Sequence, residues 1–135
     1  MATAKDETTY GKYLQEHPVG KSPFGPVFTF SGEDDFKSDF SLFVIAVDHA
    51  CLMEDHAHAH DFDMYLVFCG MDPKNMGDLG AEIEISFGDE GEKHVITKPT
   101  TVYIPKGLKH NPLNFKRVDK PVLFLHATIA SRYKA

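Results

Sequence analysis

His56, His58 and His60 alternate with alanine in "EDHAHAHDFDMYLVFCG", residues 54 to 70. In an extended chain, side chains at i, i+2 and i+4 point to one face. The three imidazoles can therefore converge on one point while Ala57 and Ala59 turn away. Imidazole is a common ligand for divalent transition metals, and Asp61 and Asp63 follow at once as harder anionic donors. A bare HxH is a weak signal by itself, because surface histidines are common.

A second stretch strengthens it. "YIPKGLKHNPLNF", residues 103 to 115, places Pro105, Gly107, His110 and Asn114 behind a run with strand character. Gly107 suits a tight turn, and His110 then opens the next strand with its ring free to point inward. A distant histidine near a turn is more often solvated or a cap. Set beside HAHAH and its carboxylates, His110 reads as a further ligand of a site assembled from two strands.

The elements that must position these residues are short strands. From Val27 onward, β-branched and aromatic runs are broken by turn residues: "VFTF", "FSLFVIAVDHA", "MYLVFCG", "AEIEISFG", "KHVIT", "TVYIP", "LNFKRV" and "PVLFLHATIA". In "AEIEISFG", Glu82 and Glu84 alternate with Ile83, Ile85 and Phe87, the period of a half-buried strand. "GDEGE" (88 to 92) reads as a hairpin loop, Lys98-Pro99 as a turn, and "MDPKNMGDLG" (71 to 80) as a longer polar connection. No segment of ten or more residues after residue 26 carries a 3.6-residue period. About eight closely spaced strands predict an all-β sandwich or barrel over 27–135. Residues 1–26 read as a loop-rich arm punctuated by Pro18, Gly20, Pro23, Gly25 and Pro26, with "TTYGKYLQEH" open between a short helix and a turn.

At 135 residues the chain is one domain, long enough to bury a core without staples. With eleven Phe and no Trp, that core rests on Phe, Val, Ile and Leu. A formal charge of −6 and no dense Lys/Arg cluster exclude a phosphate-tracking surface, so no nucleic acid is expected as partner. Cys51 and Cys69 form no CxxC and read as two reduced thiols. The polar N-terminus lacks a signal-like apolar stretch, and no run approaches the roughly 18 apolar residues of a membrane span. A cytoplasmic protein without membrane contact is the expectation.

Other polar residues have two readings each. His126 shares the strand face of Val122, Phe124 and Thr128, where a histidine is usually a satisfied core residue; otherwise it lines a pocket as a proton donor. Tyr65 and Cys69 share the face of Asp63 by alternation and are expected to project inward beside the metal, with Tyr103 likewise.

The two stretches resemble the two motifs of the cupin superfamily, small double-stranded β-helix (jelly-roll) barrels. The family's second motif, G-x5-P-x-G-x2-H-x3-N, is matched at Pro105, Gly107, His110 and Asn114, with Pro99 in place of its leading Gly. The first, G-x5-H-x-H-x(3,4)-E-x6-G, is matched in two registers. Counting back from Gly70 pairs His56 with His58 and puts Asp63 at the family's Glu, with Ala50 for the leading Gly. Pairing His58 with His60 puts Met64 there instead, a poor ligand for a hard ion. His58 belongs to both registers. The plain count favours His56, whereas the nearness of "HAHDFD" to the following strand favours His60. Asp63 is either a ligand or a turn cap. The resemblance spans residues ~27 to 130 and agrees with the all-β reading.

What it implies is a divalent transition metal (Fe, Mn, Zn, Ni or Cu) drawn from His58, His110, His56 or His60, and Asp63. Such a site suits a metal-dependent oxygenase, isomerase, decarboxylase or lyase acting on a small oxygenated or carboxylated molecule. The alternative is a non-catalytic module that binds a small ligand, which the altered acid position favours. The fold does not select between them. Open jelly rolls leave edge strands that cupins often bury in a homodimer, and "SPFGPVFTF" is a candidate arm to cross to a partner.

Overall fold

The computed structural model describes residues 8–134. Two antiparallel sheets face each other, and their strands follow from the alternation in the sequence. The larger sheet contains β1 (Gly20–Ser22), β2 (Gly25–Ser31), β3 (Ser41–Val47), β5 (Met64–Gly70), β8 (Thr100–Ile104) and β10 (Val122–Thr128), in the order β1-β2-β3-β10-β5-β8. The smaller contains β4 (Cys51–Glu54), β6 (Ala81–Phe87), β7 (Glu92–Ile96) and β9 (His110–Val118), in the order β4-β9-β6-β7. One four-residue helix, α1 (Gly32–Asp35), and a 3-10 turn over Gly11–Tyr13 are the helical pieces among the described residues.

The inner faces interdigitate. Met64, Leu66 and Phe68 of β5 are buried while Tyr65 between them is exposed, so the even-numbered residues face the core. Ile83 and Ile85 of β6, Leu113 and Phe115 of β9, and Val122 and Phe124 of β10 complete the layer. Phe68, Phe115 and Phe124 meet across the sheets, with ring centroids 5.1 to 6.0 Å apart. Burying side chains of this size contributes about 1.5–3 kcal/mol each. On the outer face of β6, Glu82 and Glu84 are answered by Lys93, Lys116 and Arg117.

The β6–β7 hairpin turns through residues 88–91, with Phe87 opposite Glu92. Two elements differ from the sequence expectation. Residues 20–26, read as loop, form β1 and the start of β2, because the turn at 23–24 lets Gly20 pair with Val27. "SPFGPVFTF" is thereby engaged by its own chain, with Phe28 opposite Val44 of β3; the first seven residues of the expected arm lie outside the described residues. "CLME" supplies β4, too short for its alternation to stand out. The expected turn at Lys98-Pro99 separates β7 of the smaller sheet from β8 of the larger, so the chain crosses between the sheets there.

Candidate metal centre

β4 carries a bulge between Leu52 and Glu54, and beyond Glu54 the chain leaves regular pairing. It regains contact at one residue. His58 and His110 form an isolated antiparallel bridge, with His58 N donating to His110 O at 3.0 Å and His110 N to His58 O at 2.9 Å. Two residues onward, the His60 carbonyl accepts from Gly107 N at 2.8 Å. Gly107 sits at φ 85°, a left-handed conformation that side chains with a Cβ rarely take, and this lets the 105–108 turn bring His110 back against the histidine segment.

The result is a triad. Ligand atoms of His58, His60 and His110 all lie within 4.8 Å of one another. The rings are edge-on or tilted at 4.7 to 5.3 Å, and Phe62 stacks on His60 at 4.8 Å. His110 Nδ1 donates to the Leu108 carbonyl at 3.0 Å, which leaves Nε2 with its lone pair free. His60 Nε2 is buried without a partner among the described residues, and the Asn111 amide nitrogen lies 3.5 Å from His58 Nε2. Burial, then the neighbouring imidazoles, holds His60 below the ordinary imidazole range; burial does the same for His110. Neutral imidazoles with free nitrogens are what a divalent transition metal requires. The residues fit such an ion.

His56 is outside this group. Its side chain is 87% exposed and pairs with Asp55 at 3.1 Å. The i, i+2, i+4 rule fails for it because residues 55–57 are not a strand, so only the segment held by the bridge keeps its face. Asp63 is outside as well. Its Oδ1 accepts from Lys106 N at 2.8 Å, capping the 105–108 turn, and its backbone oxygen accepts from Ile129 N at 2.9 Å. The Asp63 carboxylate also stands near the Tyr103 phenol; desolvation and then this carboxylate push that phenol up.

Tyr65 and Tyr103 do not line the pocket. They sit opposite each other on β5 and β8 and stack at 5.1 Å on the outer surface, 39% and 50% exposed. They share the outward face with Asp63, because Met64 and Leu66 take the inner one. Met64, at the acid position of the His58/His60 register, is buried against the cavity.

The cavity beside the triad measures about 230 Å3, below the roughly 300–1,000 Å3 of sites for drug-sized ligands, so only a small molecule would fit in it. His58 and His110 line it together with His126, whose Nδ1 is buried without a partner. Burial, with the three triad imidazoles adding to it, lowers His126 to about 4, so it is neutral at pH 7. It can exchange a hydrogen bond with a ligand but is not an imidazolium donor.

Three cavity residues carried no readable signal in the sequence: Glu54, Asn111 and Tyr133. Tyr133 reaches the cavity from the C-terminal segment, which crosses the open end of the sheets. Ser31 Oγ and Glu33 N both donate to the Ser131 carbonyl, at 2.7 and 2.8 Å, and Arg132 pairs with Glu33 at 2.7 Å. The Tyr133 ring then packs edge-on to His60 and His126, at 5.3 and 4.7 Å. Burial and the Glu54 carboxylate push its phenol up.

Known proteins resemble this chain in fold alone. No family model matches the sequence, and no curated protein matches it. Among solved structures, Bacillus subtilis oxalate decarboxylase is similar over most of the chain. The structure used to assign its Mn(II) centres by EPR gives a TM-score of 0.59 at 10% identity, covering 88% of this chain and 29% of that one. A two-residue deletion variant of the same enzyme gives 0.60 at 10% identity, covering 89% and 29%. The chain thus spans under a third of that enzyme's length. The likeness is one of architecture: two antiparallel sheets around a shared core.

Proposed function

We propose that the chain is a single-domain cupin, a jelly-roll barrel holding one divalent transition metal on His58, His60 and His110. It acts on a small oxygenated molecule bound in the adjoining cavity. The observation that carries this reading is the convergence of the His58, His60 and His110 imidazoles beside the cavity, with the buried His60 Nε2 left without a partner among the described residues. A resident metal explains why that polar atom is left unpaired. Its relation in fold to part of an oxalate decarboxylase with Mn(II) centres supports the same reading.

When bound, the ion supplies Lewis acidity toward an oxygen donor or, if redox-active, one-electron chemistry. The chain's own residues do the rest. Apolar walls from Phe43, Ile45, Leu66 and Phe124 exclude water, and neutral His126 orients a polar atom of the substrate. Tyr133 and Glu54, the remaining groups able to exchange a proton, stand together by the cavity. A non-catalytic ligand-binding module is the second reading, favoured by Met64 where the family motif carries a carboxylate.

Elemental analysis of the purified chain tests the proposal. About one metal per chain is expected, lost on His110→Ala; no metal above background after loading overturns it. Turnover against ligand binding at full metal occupancy then separates the two readings. We place the protein in the cytoplasm, since Cys51 and Cys69 are both free and a reducing compartment keeps them so. No helix among the described residues is long and apolar enough to cross a membrane. The proposal includes a homodimer, supported by the outer edges of β1 and β8, unpaired among the described residues, and light scattering at the mass of one chain would count against it.

A further inference from the structure

We infer that the cavity selects a ligand with one donor headgroup and an apolar or cationic remainder, and rejects a second anionic group, with Glu54 setting that preference. This rests on the metal reading above and extends it to the class of molecule bound.

Imidazole ligands bring no negative charge, and among the described residues no carboxylate joins the three, so a divalent ion's charge would be left uncompensated. One anionic or strongly polar headgroup at the metal is therefore favourable. The rest of the ligand meets a different surface. Its walls are Phe43, Ile45, Met64, Leu66, Leu113 and Phe124, and among the described residues no Lys or Arg lines the cavity. Arg132, next to Tyr133 in sequence, is held by Glu33 at 2.7 Å. Among the described residues the one carboxylate lining the cavity is that of Glu54, at its exposed edge. A second carboxylate would be desolvated against apolar walls, with no cation to pair and a like charge nearby. An ammonium end would meet Glu54 as its counter-charge. In a cavity of about 230 Å3 a tail has little room to escape both surfaces.

The experiment uses the full chain, loaded with Zn2+ and carrying 13C at the methionine methyls. Met53 and Met64 line the cavity and sense its occupancy, while Met71 and Met76 are exposed and serve as controls. Three hydroxamic acids share the metal-binding headgroup and a two-carbon spacer, and end in isopropyl, carboxylate or ammonium. The isopropyl ligand is expected to shift Met64 and to bind about tenfold or more tighter than the carboxylate ligand. Glu54→Gln should weaken the ammonium ligand about threefold and improve the carboxylate one. The inference is overturned if the carboxylate ligand binds as tightly as the isopropyl one, if Glu54→Gln leaves all three unchanged, or if none moves Met64. Zinc content is measured first. A chain that takes up no zinc sinks the metal reading alone, and the same titration on the metal-free chain then decides the cavity's preference.

Discussion

His58 and His110 stand directly opposite each other in a bridge of two backbone hydrogen bonds, their rings 4.8 Å apart. Residues so paired project to the same side of the ladder. The two imidazoles are thus placed by main-chain geometry, and His60 joins them through its own carbonyl bond to Gly107.

The ligand set makes the first prediction. His58→Ala or His110→Ala should weaken metal binding by more than the roughly 10–100-fold that loss of an outer partner costs. His56→Ala should leave affinity unchanged, because its ring is solvated and held by Asp55 alone. Competition against a chelator of known affinity measures all three.

Asp63→Ala should keep metal stoichiometry intact and lower stability by about 1 kcal/mol, the worth of a hydrogen bond to the Lys106 amide. Urea unfolding with parallel metal analysis checks this. Loss of metal at unchanged stability would instead return Asp63 to the ligand set.

Met64→Glu places a carboxylate on the inner face beside the triad. In the metal-free chain it should cost about 1–3 kcal/mol, as a buried group without a partner. Metal should offset that cost, so the rise in melting temperature on metal addition becomes larger than in the native chain. An equal rise in both would show that position 64 does not address the triad.

His126 links stability to pH. Its folded value of about 4 lies below the ordinary imidazole value, so the unfolded chain takes up the proton more readily. The stability is fully present above pH ~6.5 and is lost as pH falls toward 4, by about 3 kcal/mol. His60 and His110, also lowered, act in the same direction. Urea midpoints of the metal-free chain at pH 7.5 and 4.5 should diverge, and His126→Phe should narrow the gap.

Tyr133 closes the cavity from the C-terminal segment. Tyr133→Ala should cost about 1–2 kcal/mol of packing and speed metal loss to a chelator several-fold. Arg132→Ala, which breaks an exposed pair with Glu33, should cost less than about 1 kcal/mol. Stopped-flow chelation separates the two variants.

Much of this was legible in the chain itself. Two-residue alternation at "AEIEISFG" and "PVLFLHATIA" reads directly as β6 and β10, because a strand with one buried face must alternate. The pairing of the histidine run with "PKGLKH" was legible too, since Gly107 suits a tight turn and His110 then opens the strand that follows it. β4 and β1 were not, because three or four residues are too few to display a period.

Which face is inner is a tertiary matter. Alternation put Asp63 and Tyr65 on one side of β5, and packing of Met64, Leu66 and Phe68 against the opposite sheet turned that side outward. The choice between His56 and His60 has the same origin. The sequence alone established a β protein with a histidine cluster and a distant partner. Only the bridge to His110 determined which histidines converge, because spacing gives a common face only where the chain is held extended. Glu54 and Tyr133 reached the cavity through a bulge and a C-terminal crossing, contacts between distant segments that no local pattern encodes.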